Sequence, residues 1–197
     1  MRGDVAGKPT VVPFALLPLL ALLALLALLA LLAFLLAVMI DANNFRRLCG
    51  RFATGVSIVT AIDAEGFPCG MTASSFASVS LDPPLISVAI DHTAAIYPAL
   101  RRAKRFAVNI LEATQEALSR RFAAGLPDRF EGIGWEQSED GDVIIAGTLA
   151  HLGCEKQQEI PTGDHTIFVG LVTGGDAAAH GRPLLHYRGG YGDLDAI

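Results

Sequence analysis

The chain lacks most of the short signatures by which enzymes are recognised. There is no G-x-x-x-x-G-K-[ST] phosphate loop, no H-E-x-x-H and no G-x-S-x-G elbow, which sets aside P-loop hydrolysis, zincin chemistry and this class of serine hydrolase. Gly132-Ile133-Gly134 supplies two glycines of a dinucleotide fingerprint but not the third, and no convincing strand precedes it. A dinucleotide must therefore bind without a Rossmann unit. Cysteine is scarce: Cys49, Cys69 and Cys154 lie far apart with no C-x-x-C or Cys/His ligand spacing. Neither a disulfide framework nor a metal site is indicated, and a reducing compartment is the simple reading. Positive charge is also short. The chain has 15 basic and 20 acidic residues; setting aside Arg2, Lys8 and Asp4 leaves 13 against 19 over residues 41–197. Beyond Arg101-Arg102-Ala103-Lys104-Arg105 there is no basic cluster, so a nucleic-acid partner is not expected.

What is present divides into two parts. Residues 1–40 form an apolar leader, uncharged from Val11 to Ile40 and dominated by an Ala-Leu-Leu repeat. The apolar run from Leu19 to Ile40 would span about 33 Å as a helix, against about 30 Å for a bilayer core. It is longer than the apolar region of a secretory signal. Arg2 and Lys8 on one side, and Arg46, Arg47 and Arg51 on the other, weakly favour a cytoplasmic C-terminal domain if the segment is an inner-membrane anchor. A competing reading takes Met39 as the true start, since the sequence from Met39 reads as the opening of a soluble domain. Residues 41–197 suit one domain with its own core.

Within that domain, Phe45, Leu48, Cys49 and Phe52 recur at helical spacing, with Asp41 or Asn43 as cap and Gly55 as terminator. Strands are expected at "VSIVTAI", at "CGMTA", at Leu85–Ile90 after a Ser-rich loop, at "RFAVNIL", over "DVIIAGTLAHLGCEKQQEI", at "DHTIFVGLVTGG" and at the C-terminus. "DAEGF" reads as a turn around Gly66. Short helices fit "TAAIYPALRRA" and "TQEALSRRFA", the second capped by Thr114, and a polar loop carries Trp135. Many short strands with few helices predict an antiparallel barrel.

The most informative stretch runs from Gly70 to Leu85. Thr72, Ser74, Ser75, Ser78 and Ser80 place five hydroxyls within nine positions, among small residues. Small side chains let a planar ring approach the backbone, and hydroxyls and amides can bond ring carbonyls and phosphate. The same composition also suits a loop that caps a barrel end.

The segments "FRRLCGRFATGVSIVTA", "GMTASSFASVSLDPPLISVAI", "RFAVNIL", "LSRRFA", "DRFEGIGW" and "GDHTIFVGLV…PLLHYRGGY" occur in this order. Together they resemble the flavin reductase-like family, the small reductase components of two-component flavin-dependent monooxygenases. The resemblance covers essentially Asp41 to Gly192 and leaves the leader outside it. It implies a mainly β, FMN-binding split barrel (a Greek-key antiparallel barrel) that reduces FMN or FAD with NAD(P)H. It also implies a homodimer that supplies reduced flavin to a separate oxygenase; the cytoplasm is the expected location on the cysteine reading above. By the same resemblance Thr72, Ala73, Ser74 and Ser75 face the isoalloxazine, while Ser78 and Ser80 lie toward the ribityl phosphate. Thr93 remains from a donor cluster after "LISVAI", and Tyr187 with Arg188 falls near the flavin. His165, preceded by Asp164, is the expected catalytic-site polar group. The family often has Asn where Ser74 stands. A flavin-binding electron carrier or a membrane-tethered redox protein, neither oxidising NAD(P)H, is the alternative.

Overall fold

The computed structural model describes residues 17–125, 128–192 and 194. Contacts divide the chain into two units, with the division between Leu48 and Cys49. In the first, α1 (Leu17–Val38) is built from strong helix formers and has no acidic or basic residue in its terminal turns. Its leucines are about half exposed around the helix, as at Leu19 (51%) and Leu29 (51%). Among the described residues no helix is long and apolar enough to cross a membrane. Side chains 17, 33 and 35–38 lie outside that set, so the bilayer-length argument for the leader rests on its sequence. Residues 1–16 of the leader are likewise outside it.

Next comes α2 (Ala42–Cys49), where Asp41 Oδ1 accepts the backbone N–H groups of Asn43 (3.0 Å) and Asn44 (2.9 Å). That is the expected cap. The helix stops at Cys49, six residues before Gly55, and Phe52 sits in a turn closed by its N–H to the Cys49 carbonyl (3.0 Å).

The second unit is strand-rich. Its elements are β1 (Thr54–Gly55), β2 (Ser57–Ile62), β3 (Pro68–Ala73), β4 (Ala77–Leu81), β5 (Pro84–Asp91), α3 (Tyr97–Arg102), β6 (Arg105–Ile110), α4 (Glu116–Ala123), β7 (Trp135–Gln137), β8 (Val143–Ile145), β9 (Ala150–Thr162), β10 (His165–Ala177), β11 (Leu185–Tyr187) and β12 (Gly190–Gly192). Seven strands form one antiparallel sheet in the order β3-β2-β6-β9-β10-β5-β4. Its edge strands β3 and β4 are consecutive in sequence, joined by residues 74–76. So short a link forces the sheet to curl until its edges meet, which produces a barrel split along one seam. A smaller sheet, β1-β11-β12, and the β7–β8 hairpin complete the unit.

Burial explains the arrangement. On β5, Ile86, Val88 and Ile90 are buried and alternate with partly exposed residues, so one face lines the barrel. They pack with Val59, Leu100, Phe106, Val108 and Phe168. β2 is buried on both faces: Val59 and Ala61 enter the barrel, while Ile58 joins Val56, Leu111, Phe122, Ile145 and Leu184 in a second core. α4 is amphipathic and sets Phe122 into that core.

Several expectations change in detail. The Ser-rich stretch is a strand, β4, because Ala77–Leu81 finds a partner in β5. Trp135 begins β7 rather than lying in a loop. The C-terminal segment makes two strands, turning at Arg188 (φ 54°) and Gly189 (φ 80°). Thr114 does not cap α4. Glu112 instead caps a preceding 3-10 turn, Ala113–Gln115, accepting from the Thr114 N–H at 2.7 Å, while Gln115 accepts the Glu112 N–H at 3.0 Å.

Candidate active site

The seam of the barrel carries the hydroxyl-rich turn. Ser75 occupies the place of one more ladder residue: its Oγ donates to the Ala89 carbonyl (2.9 Å) and accepts the Ala89 N–H (3.1 Å). That hydroxyl is spent on closing the seam. Thr72 Oγ1 donates to the Ser119 carbonyl of α4 (2.6 Å), and Ala73 is buried, its carbonyl accepting from Ser57 Oγ (3.1 Å). Ser74 is exposed and lines a cleft of about 260 Å³ with Phe52, Ala53, Thr54, Gly55, Ser57 and Phe76. A broader apolar groove of about 630 Å³ meets this cleft at Phe76 and Ile110 and runs along Leu152, Val172 and Gly174.

One group here was not legible in the sequence. Thr54 Oγ1 is buried and has no hydrogen-bond partner. An unpaired buried hydroxyl is costly, and this one belongs to a residue lining the Ser74 cleft. The signal that could have found it is tertiary, because in sequence Thr54 is one more β-forming residue.

The other predicted residues lie elsewhere around the seam. His165 opens β10 directly opposite Asp91 at the end of β5, half exposed, with Nδ1 2.7 Å from Asp164 Oδ1. That hydrogen bond, and then the ring's charge, hold the Asp164 carboxyl below its ordinary range. Thr93 donates both its hydroxyl (2.7 Å) and its backbone N–H (2.6 Å) to Asp91 Oδ1, and the hydroxyl is the larger cause of a lowered Asp91 pKa. Asp91 therefore brings Thr93 and His165 together. Ala89, the anchor of Ser75, is two residues away, about 7 Å at strand rise. Ser78 and Ser80 sit on edge strand β4, opposite Ile86 and Leu85. Tyr187 ends β11, with the Arg188 guanidinium carbon 5.5 Å from its ring centroid.

Asp91, Asp164 and His165 have ligand atoms within 4.8 Å of one another, but Asp91 Oδ1 and His165 Nδ1 are already engaged within the turn. Arg101 and Arg105, from the basic run, are salt-bridged to Glu159 (2.8 Å) and Asp142 (2.7 Å). Asn109 is buried, bonded to Thr60 Oγ1 and to backbone on β2 and β8. Burial pushes the Cys69 thiol up to about 11 and Cys154 up to about 12, far from a reactive thiolate.

Residues 49–195 match the model of the flavin reductase like domain. The chain belongs to that family. Over 159 residues it is 39% identical to the flavin-dependent monooxygenase reductase subunit HsaB of Rhodococcus jostii (strain RHA1), covering 81% of each chain. It is also 39% identical over 158 residues to a flavin reductase of Pseudomonas putida, covering 80% of this chain and 93% of that one. Among solved structures, the NADH:FAD oxidoreductase SgcE6 of Streptomyces globisporus C-1027, in complex with NAD and FAD fragments, superposes with a TM-score of 0.73 at 37% identity. The match covers 78% of this chain and 94% of that one. The protein is thus a flavin reductase of split-barrel fold, an oxidoreductase with flavin as hydride acceptor and a reduced nicotinamide nucleotide as donor.

The residues present fit a flavin. Ala53, Gly55, Ser57 and Ser74 leave the cleft walls low enough for a planar ring. Thr54, whose buried hydroxyl has no partner, is one of the lining residues, and the adjoining groove has the apolar walls and few polar groups usual for such ligands.

Proposed function

We propose that the Ser74 cleft and the groove it meets hold the flavin ring and the nicotinamide. The unpartnered Thr54 hydroxyl is the observation that carries this assignment. Bound flavin supplies the hydride-accepting ring and reduced nicotinamide the hydride, a transfer that asks little acid–base work of the protein. The task of this chain is to hold two rings at reactive distance and keep water out. Phe52, Phe76 and Ile110 supply apolar walls. Ser74 and Thr54 bond the polar edge of the flavin. Thr54 lines the cleft with its hydroxyl buried, so pairing with the flavin requires rotation about χ1. Thr72, Ala73 and Ser75 shape the turn with side chains bound into the fold and meet the ring through backbone and surface. Ser78, Ser80 and Thr93 serve the ribityl-phosphate side, and Tyr187 flanks the ring.

His165, which lies at the Asp91 turn and not among the residues lining the cleft or groove, is proposed as the polar group of the reaction centre. Donation of Nδ1–H to Asp164 Oδ1 would leave Nε2 as the acceptor in the neutral ring.

The domain comprises residues 41–197 and works as a homodimer. Reduced flavin leaves it for a partner oxygenase, a reading supported by the relative named as a reductase subunit of a flavin-dependent monooxygenase. Three free cysteines support a cytoplasmic site; anchoring of the same domain at the inner membrane through residues 1–40 is the alternative. The test is steady-state oxidation of NADH and NADPH by the full chain with and without FMN, FAD or riboflavin. Flavin-dependent turnover is expected. Flavin binding without turnover would instead indicate an electron carrier.

A further inference from the structure

The Ser74 cleft has two walls of different origin. Its floor is fixed by β2–β3 pairing and by Ser57 Oγ on the Ala73 carbonyl. Beyond it, the wall holding Thr54 and Gly55 pairs with β11 and continues through Val56 into β2, so both the barrel and the three-stranded sheet place it. Backbone bonds tie that sheet to the barrel beside β1 and β11: Val56 N–H donates to the Leu184 carbonyl (3.0 Å), Leu111 N–H to the Val56 carbonyl (2.9 Å) and Leu184 N–H to the Leu111 carbonyl (3.0 Å). Its outer strand, β12, is held by a side chain: the Tyr191 hydroxyl lies 2.9 Å from Ser119 Oγ on α4. Ser119 is fully buried.

Register makes this contact reach the cleft. Tyr191 is directly opposite His186, and His186 is directly opposite Thr54, so the three side chains share one face of the sheet in a lateral row. The His186 and Tyr191 rings are 5.5 Å apart, edge to face, and the Arg120 guanidinium carbon lies 4.8 Å from the Tyr191 ring centroid. The same Ser119 serves the opposite wall with a different atom, because its carbonyl accepts the Thr72 hydroxyl at 2.6 Å, two residues before Ser74. One residue of α4 thus touches β3 on one side and, on the other, the outer strand of the sheet that carries Thr54.

We infer that Ser119, through Tyr191, is a positioning residue that sets the spacing between the Thr54 and Ser74 walls and hence the fit of the flavin ring. The inference rests on the cleft assignment above. Neither residue touches the reacting atoms; both act on ligand fit.

The test compares Tyr191→Phe, Ser119→Ala and the double variant in the full chain, measuring flavin KM, kcat and the unfolding temperature. Each single change strands or removes one hydroxyl, and flavin KM is expected to rise about five- to tenfold with kcat within about twofold. The double variant removes both partners, so its unfolding temperature should return toward that of the parent while flavin KM stays raised. If the double variant restores KM along with stability, or if neither single change moves KM, the positioning role is overturned.

Gly55→Val tests the reading beneath. Gly55 lines the cleft and a Cβ there meets nothing within 4 Å, so a branched side chain is expected to narrow the cleft at little cost to the fold. A raised flavin KM there is expected whatever Ser119 does. An unchanged KM would remove the cleft assignment, and the positioning role with it.

Discussion

Replacing Thr54 by Val gives the most direct access to the site. The exchange keeps the β-branched shape and removes the one buried side-chain hydroxyl that lacks a partner among the described residues. Such a group costs about 1–3 kcal/mol when left unpaired, so the ligand-free variant should be more stable than the parent by about 1 kcal/mol. For a domain of this size that is about 2–4 °C in unfolding temperature. Flavin binding should move the other way. In the parent the ligand pairs the hydroxyl and relieves its cost; in the variant that gain is lost, which weakens affinity by about tenfold. Thermal unfolding without flavin and a flavin fluorescence titration read the two effects separately. A variant destabilised by more than about 1 kcal/mol with unchanged flavin affinity would refute the reasoning, because the hydroxyl would then have a partner in the ligand-free protein.

His165→Ala should lower kcat/KM by roughly tenfold, the worth of one ligand hydrogen bond. Its half-exposed position should leave the fold intact by circular dichroism, and unchanged turnover would retire its role. Gly153→Ala should destabilise the domain by about 3 kcal/mol in urea titration, because the new Cβ would collide with Asp142 Oδ2, which pairs with Arg105. Acid stability carries a signature of the Asp91 turn. The Thr93 hydroxyl and then its N–H hold the Asp91 carboxyl below its ordinary value. Its contribution is therefore complete above about pH 4 and is lost as pH falls through the lowered folded value. Asp91→Asn should flatten the dependence of unfolding temperature on pH in that window, and a parallel profile would show that the charge is not what the turn uses.

Local order was legible where short-range chemistry decides it. Asp41 caps α2 because its carboxylate reaches the N–H groups two and three residues on. The turn at Gly66 forms around a positive φ (88°) and the Asp63 carboxylate, which takes the Glu65 and Phe67 N–H groups. The alternation of β5 and the helical face of α4 are likewise written in residue spacing. β4 was missed because serine-rich sequence favours loops, and its strand state is conferred by the partner edge of β5.

By itself the sequence determined the barrel class, the flavin reductase resemblance and the neighbourhood of the chemistry, because family motifs and strand periodicity are carried by consecutive residues. Tertiary structure decided which hydroxyls are spent and which are available. Thr72 and Ser75 read like Ser74 in sequence, yet α4 takes the first and the Ala89 backbone takes the second. Thr54, in a strand of two residues, is left unpaired. Hydrogen-bond satisfaction depends on what lies within about 3 Å after folding, and here the partners come from up to 47 residues away.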